Sequence, residues 1–305
     1  MSIAQEISRL YRKGKTPKPF NSTVITQRTM MLYLSNKYKI NNPKEEIIRE
    51  QYKKYGRDIR HLRPLNREPP VIYDDFLQLF YDDKDNLLRS NRDNYYSSLY
   101  WNLCELIEAN PGKKIISTID ISFYKNNIPD CGHTEIIVYD PLLNILEHID
   151  SNNVPKQCTR KSRGYFACSE IVSSIMRDIA EVLPQNPLFI NNEDIYSRYE
   201  WGIQSLECVS DLITESEQGY CLMWTTLFGD LALAYPEYSM KQIIGEIIKK
   251  SKSSSSYNIN DYLLFVIRGY VVDLSEKLDV VFNDEISQHK LCSRLAFDFT
   301  MKKQK

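Results

Sequence analysis

The sequence predicts an α+β fold in which a central, mostly antiparallel sheet is flanked by helices. Three observations predict it. Residues 114-KIISTIDISFY-124 alternate apolar and polar side chains and are rich in β-branched types, the pattern of a strand with one buried face. Segments 134-TEIIVYD-140 and 145-ILEHID-150 read as two more strands joined by the turn 140-DPLLN-144, a hairpin. Residues 165-YFACSEIVSSIMRDIAEVL-183 set Ala167, Ile171, Ile175, Ile179 and Val182 on one helical stripe, which Pro184 and Pro187 stop.

The other elements follow in chain order. Residues 1–20 are basic and read as flexible, and 24-VITQRTMMLYLSNKY-38 and 44-KEEIIREQYKKYGRDIRHL-62 carry helical patches. The stretch 64-PLNREPPVIYDDF-76 reads as a proline-marked linker and sets a boundary near residue 65. Residues 96–109 read as a helix closed by 110-NPGKK-114. A short strand is expected at 198-RYEWGIQ-204, then a polar, acidic loop to Gly219, then a long apolar helix opening at Cys221. Helices at 239–250 and 260–282 complete the chain, separated by the serine-rich loop 251-SKSSSS-256. The expected organisation is an N-terminal extension, 1–65, and a domain, 66–305, with its core at about 95–235 and C-terminal helices at 239–282.

Bulk properties narrow the function classes. With 42% hydrophobic and 26% charged residues, the composition is that of a soluble globular protein. No apolar run reaches the ~18–20 residues of a membrane span, and the N-terminus lacks the apolar core of a secretory signal. The seven cysteines are odd in number and contain no CxxC, which argues against a structural zinc site and for reduced thiols. Net charge is −1, but residues 1–70 hold 16 Lys/Arg against 6 Asp/Glu and the rest 23 against 34. Such a basic segment binds nucleic acid, an acidic partner or the acidic body of its own chain. Tyrosines among the basic residues, as in 52-YKKYGRDIRHLR-63, suit base stacking as well as phosphate contact.

The chemistry centres on 219-GYCLMW-224. A thiol attacks as thiolate, which a helix N-terminus and a neighbouring histidine both stabilise. Cys221 stands where the apolar helix opens. Of the four histidines, His133 heads the strand of 131-CGHTEIIVYD-140, and seventeen residues on, Asp150 ends the next strand. Antiparallel neighbours put the head of one beside the tail of the other, so Asp150 can orient the His133 imidazole. His148 is a rival base. Glu135 and Asp140 are expected to face solvent or end the strand, Asn152 and Asn153 to form a turn, and Trp224 to pack in the core. Taken singly, Cys221 also fits core packing, His133 a structural histidine and Asp150 a turn cap.

This layout resembles the ubiquitin-like-protein (SUMO-type) proteases and the adenovirus proteinase, cysteine peptidases with a permuted papain-like core. The resemblance covers about residues 95–235 and rests on the order His133, Asp150, glutamine, Cys221 and on the His-to-acid spacing. The phrase 219-GYCLMW-224 before a long apolar helix is similar to proteins of this type in large DNA viruses. The resemblance implies a His133–Asp150–Cys221 triad, an oxyanion-binding glutamine, a protein substrate and no cofactor or metal. That substrate is a viral precursor or a ubiquitin-like conjugate, met in the host cytoplasm or the virion. Three departures stand out. Thr134 replaces the family's tryptophan after the histidine, Leu222 replaces the glycine after the cysteine, and Glu215 and Thr214 stand where the family's glutamine is expected. Gln204, at the end of the expected strand, is the preferred oxyanion donor, with Gln218 the alternative. The same triad also serves acyl transfer, and a virion or nucleic-acid-binding protein that kept the fold without catalysis is the reading from another class.

Overall fold

A computed structural model describes residues 2–16, 20–21, 27–38, 71–81, 87–90, 100, 103–108, 112–126, 128–152, 163–196, 202–207, 210, 212, 217–218, 220–253 and 257–302. In chain order the elements are α1 (Ile3–Lys13), β1 (Phe20–Asn21), α2 (Gln27–Tyr38), β2 (Val71–Tyr81), β3 (Leu87–Ser90), a helical turn at 103–108, β4 (Ile115–Lys125), β5 (Ile128–Asp140) and β6 (Ile145–Ile149). Then come α3 (Arg163–Val182), β7 (Leu188–Ile190), α4 (Asn192–Tyr196), α5 (Ile203–Glu207), β8 (Glu217–Gln218), α6 (Tyr220–Ala234), α7 (Met240–Lys252), α8 (Ile259–Leu278) and α9 (Glu285–Lys302). The fold is α+β. The chain divides into two compact units, one of residues 37–148 and 159–191, the other of residues 1–36, 149–158 and 192–305.

The first unit is built on a mixed sheet of order β3-β2-β4-β5-β6-β7. Strands β4 and β5 are antiparallel, with Ile121 opposite His133 and Ile119 opposite Glu135. The short turn Pro141–Asn144 joins β5 to its neighbour β6, as the hairpin pattern predicts. Asp140 ends β5 buried rather than solvated: its Oδ1 accepts from the Leu142 and Leu143 N–H groups, and its Oδ2 pairs with Lys114 Nζ at 2.8 Å. The sheet is less antiparallel than expected, because β2 pairs with β4, and β6 with β7, in parallel. Residues 71–76, expected within the linker, belong to β2. Residue 65 and the helical patch at 44–62 lie outside the described residues.

One face of this sheet is apolar. Ile115, Ile119, Ile121 and Phe123 of β4, Ile137 and Tyr139 of β5, and Leu146 of β6 share a core with Val172, Ile175, Met176 and Ile179 of α3 and with Leu103, Leu106 and Ile107. The α3 stripe keeps Ile171, Ile175 and Ile179 as expected and departs at its C-terminal end. Leu183 is buried and Val182 is 54% exposed, because the helix turns Ile179 and Leu183, not Val182, toward the sheet. Strand residues alternate between faces. His133 and Glu135 therefore continue, on β5, the face that carries Ile137 and Tyr139, and His148 continues, on β6, the face of Leu146.

The second unit is helical. Ser2 and Gln5 form a capping box on α1, which buries Ile3, Ile7 and Leu10. Helix α1 packs closely on α8, where a glycine stands on each side of the contact: a Cβ at Gly269 would overlap the Leu10 carbonyl, and one at Gly14 the Phe265 carbonyl. Arg9 and Lys13 of α1 both pair at 2.7 Å with the buried Asp273 of α8, which also takes Lys277 at 2.6 Å. Burial by itself would raise the Asp273 pKa, but hydrogen bonds from Arg9, Lys13 and Lys277 outweigh it and hold the carboxyl well below its usual range. The start of the basic N-terminal segment is thus not set apart from the C-terminal helices. Its apolar stripe and two of its cations are committed to α8. No helix among the described residues is long and apolar enough to cross a membrane.

Candidate functional site

Cys221 is the second residue of α6, with its thiol partly exposed and reduced. The helix behind it is buried without a break from Leu222 to Ala232, including the fully buried Trp224, so the helix is fixed, and in its first turn Cys221 is half-buried between the buried Tyr220 and Leu222. Backbone N–H groups of a first turn have no intrahelical acceptor and favour negative charge. The N-terminal segment anchors this helix end. Strand β1 pairs in parallel with β8, placing Phe20 beside Glu217 and Asn21 beside Gln218, and the Phe20 ring stacks on Tyr220 with centroids 5.3 Å apart.

Gln204 does not end a strand: residues 203–207 form helix α5, and residues 198–201 lie outside the described residues. Gln204 N donates to the Ser151 carbonyl at 2.8 Å, and Ser151 Oγ donates to Gln204 Oε1 at 2.9 Å. Gly202 lets the two segments meet, since a Cβ there would overlap Ser151 O. With its carbonyl oxygen held by Ser151, the Gln204 side chain is turned so that its NH₂ is the donor end on offer. Helix α5 also contacts α6, the helix of Cys221.

Asp150 directly follows β6 and is buried. Its N–H donates to Asn192 Oδ1 at 2.7 Å, and its Oδ1 accepts from Asn152 N at 2.8 Å, closing an Asx turn. The fully buried Tyr196 has its pKa pushed up by burial and then by the Asp150 charge, so the phenol stays neutral beside the carboxylate. Asp150, Ser151 and Gln204 thus form one hydrogen-bonded corner of the helical unit.

In the sheet unit, His133 lies on β5 and is only 2% exposed. Strand β5 is the neighbour of β6, the strand that Asp150 follows. Glu135 is fully buried, against the expectation that it faces solvent, because it shares the inward face with His133. Their side-chain nitrogen and oxygen atoms lie within 4.8 Å of one another. Glu135 Oε2 meets His148 Nε2 at 2.6 Å, and His148 Nδ1 meets Ser173 Oγ of α3 at 2.9 Å. His148 is fully buried with both ring nitrogens engaged, by Glu135 and by Ser173. His133 and Glu135 are of types that bind divalent ions, and one Glu135 oxygen is also held by His148.

The sequence reading missed Ser151, Asn192, Ser173 and the inward course of Glu135. Only the last had a signal, the two-residue spacing from His133. Thr134, at the family's tryptophan position, is buried on the opposite face of β5 and pairs in register with Asp120. The side chain of Gln218 lies outside the described residues. Cys104 is unsuited to attack, since burial, and then the nearby Glu108, push its thiol pKa up to about 11. No protein-family model, curated protein or solved structure matches the chain.

Proposed function

We propose that the protein is a cysteine peptidase in which Cys221 is the nucleophile, His133 the base, Asp150 the group that orients the imidazole and Gln204 an oxyanion donor. The observation that carries this reading is the Ser151 link. Two residues chosen for separate roles, Asp150 and Gln204, are joined through Ser151, which follows Asp150 in the chain and holds the Gln204 amide oxygen. The partly exposed Cys221 in a helical first turn supports it.

His133 takes the proton of the Cys221 thiol, and the sulfur attacks the scissile carbonyl carbon. The carbonyl oxygen becomes an oxyanion, held by the Cys221 backbone N–H and the Gln204 amide. His133 passes its proton to the leaving amine as the C–N bond breaks, leaving a thioester. Water, deprotonated by His133, then releases the acid and restores the thiol. The substrate class is a protein, either a precursor processed at peptide bonds or an isopeptide conjugate. Thr134 in place of tryptophan weights the first, because it leaves out the wall that narrows the family's tunnel for a Gly-Gly tail.

The test is labelling with a thiol-directed activity probe. Cys221 is expected to react at least tenfold faster than Cys104 and Cys292, with the advantage lost in His133→Ala. Equal rates at all three, indifferent to His133, would falsify the peptidase and acyltransferase readings together. If the probe reacts, water as acceptor distinguishes the peptidase from an acyltransferase.

A further inference from the structure

We infer that Glu135 positions His133 and supplies the negative charge that favours its protonated form, with His148 and Ser173 holding Glu135 in place. The inference rests on His133 being the base of the proposed site. It adds a second carboxylate that the resemblance does not assign.

Four facts about the sheet unit carry it. Glu135 lies two residues from His133 on the same face of β5, and their polar atoms are within 4.8 Å of one another. Glu135 and His148 are both fully buried, so water screens neither. One carboxylate oxygen is fixed by His148 Nε2 at 2.6 Å, a distance characteristic of a charge-assisted bond. The far nitrogen of His148 is fixed in turn by Ser173 Oγ at 2.9 Å.

Proton counting gives the consequence. When the Ser173 hydroxyl donates to Nδ1, the single ring proton of neutral His148 sits on Nε2 and is given to Glu135. A buried carboxylate charge is costly unless a cation is near. On this face of the sheet, β5 carries His133 and Glu135 and β6 carries His148. Helix α3 offers the neutral Ser173, and in the chain Asp150 follows β6. A His133 ring nitrogen lies within 4.8 Å of a Glu135 oxygen, so an imidazolium there meets the carboxylate directly. An imidazolium is the form it takes after accepting the thiol proton, so Glu135 stabilises the state that catalysis requires.

The experiment follows the four histidine ring C–H signals of the full-length protein by NMR across pH, assigned with single His→Gln variants. In Glu135→Gln, which keeps an acceptor for His148, the His133 midpoint is expected to fall by about one unit or more, a tenfold change in the equilibrium. Glu135→Asp should restore most of it. An unchanged His133 midpoint in folded Glu135→Gln, or a fall of the same size in Asp150→Asn alone, overturns the inference. If Glu135→Gln does not fold, Ser173→Ala frees His148 with Glu135 kept, and a smaller fall in the same direction is expected; no change overturns it. Probe labelling separates this from the underlying reading. A Cys221 indifferent to His133→Ala sinks the peptidase, while a His133 midpoint that follows Glu135 stands regardless.

Discussion

Ser151 and Gln204 exchange two hydrogen bonds, Gln204 N to Ser151 O at 2.8 Å and Ser151 Oγ to Gln204 Oε1 at 2.9 Å. The backbone bond fixes where Gln204 stands, and the side-chain bond fixes which end of its amide faces away. Acylation by p-nitrophenyl acetate, read as the burst of nitrophenolate, tests whether this matters. Gln204→Ala should slow acylation about 10²–10³-fold, the loss of an oxyanion donor. Ser151→Ala leaves the glutamine but frees its rotation, and should slow it about tenfold, the equivalent of one hydrogen bond. Equal rates for wild type and Gln204→Ala would remove Gln204 from the site.

Cysteine selectivity is a separate expectation. A thiol pushed up to about 11 by burial, as at Cys104, holds only about 10⁻⁴ of its population as thiolate at pH 7. Iodoacetamide followed by peptide mass mapping should therefore modify Cys221 first and leave Cys104 for last. Raising the pH to about 10 should narrow the gap, because Cys104 gains thiolate tenfold per unit. Modification of Cys104 ahead of Cys221 at pH 7 would contradict this.

The N-terminal segment should affect the site through the Phe20–Tyr220 stack. Phe20 is fully buried, and its strand pairs with the one just before the Cys221 helix. Phe20→Ala should cost about 3–5 kcal/mol of stability. In the fraction that stays folded, it should also lower the iodoacetamide rate at Cys221, measured against Cys292 as an internal standard. A rate at Cys221 unchanged beside intact folding would mean that the stack supports the fold alone.

The elements most legible in the sequence were those whose partners are near in the chain. Strands β4 and β6 and helix α3 follow from alternation, turn chemistry and a 3.6-residue stripe, and the structure keeps them within a few residues, whereas β5 begins six residues before its expected start, so that His133 stands inside the strand rather than at its head. Cys221 at the head of a helix was legible for the same reason. Strand β2 was not, because its partner β4 lies more than thirty residues on and pairs in parallel, a relation that no local turn announces. Prolines before Val71 and the acidic pair Asp74–Asp75 made it resemble a linker. Glu135 was assigned to solvent on charge alone, although its spacing from His133 already put it on the inward face. For Gln204 the element was misjudged. The apolar and aromatic residues around it suit a strand, but Gly202 and the Ser151 carbonyl start a helix there.

Gly269 lies in the middle of α8, where a glycine-to-alanine change ordinarily stabilises by about 0.5–1 kcal/mol. Here the sign should reverse. An added methyl would overlap the Leu10 carbonyl of α1, which is backbone and cannot move aside without shifting the helix. Gly269→Ala should destabilise by about 1–3 kcal/mol in urea unfolding, the cost of overpacking. Gly245 serves as the control. It lies in α7 with open space where a Cβ would go, so Gly245→Ala should be neutral or stabilising. If Gly269→Ala behaves like Gly245→Ala, the two helices are not in the close contact described.

Asp273 should make the helical unit acid-sensitive. Its folded pKa is depressed, so the group binds a proton more readily when unfolded. Its contribution is therefore fully present above the unfolded value, near pH 4, and is lost as pH falls toward the folded value. Urea midpoints measured from pH 6 down to pH 2 should fall more steeply for wild type than for Asp273→Asn. At pH 6 the variant should be the less stable of the two, because Arg9, Lys13 and Lys277 lose their shared carboxylate. The curves should converge at the acid end, where wild-type Asp273 is partly protonated. Parallel curves across the whole range would mean that the three cations contribute nothing through Asp273, and that the apolar stripe and glycine contacts hold α1 on α8 by themselves.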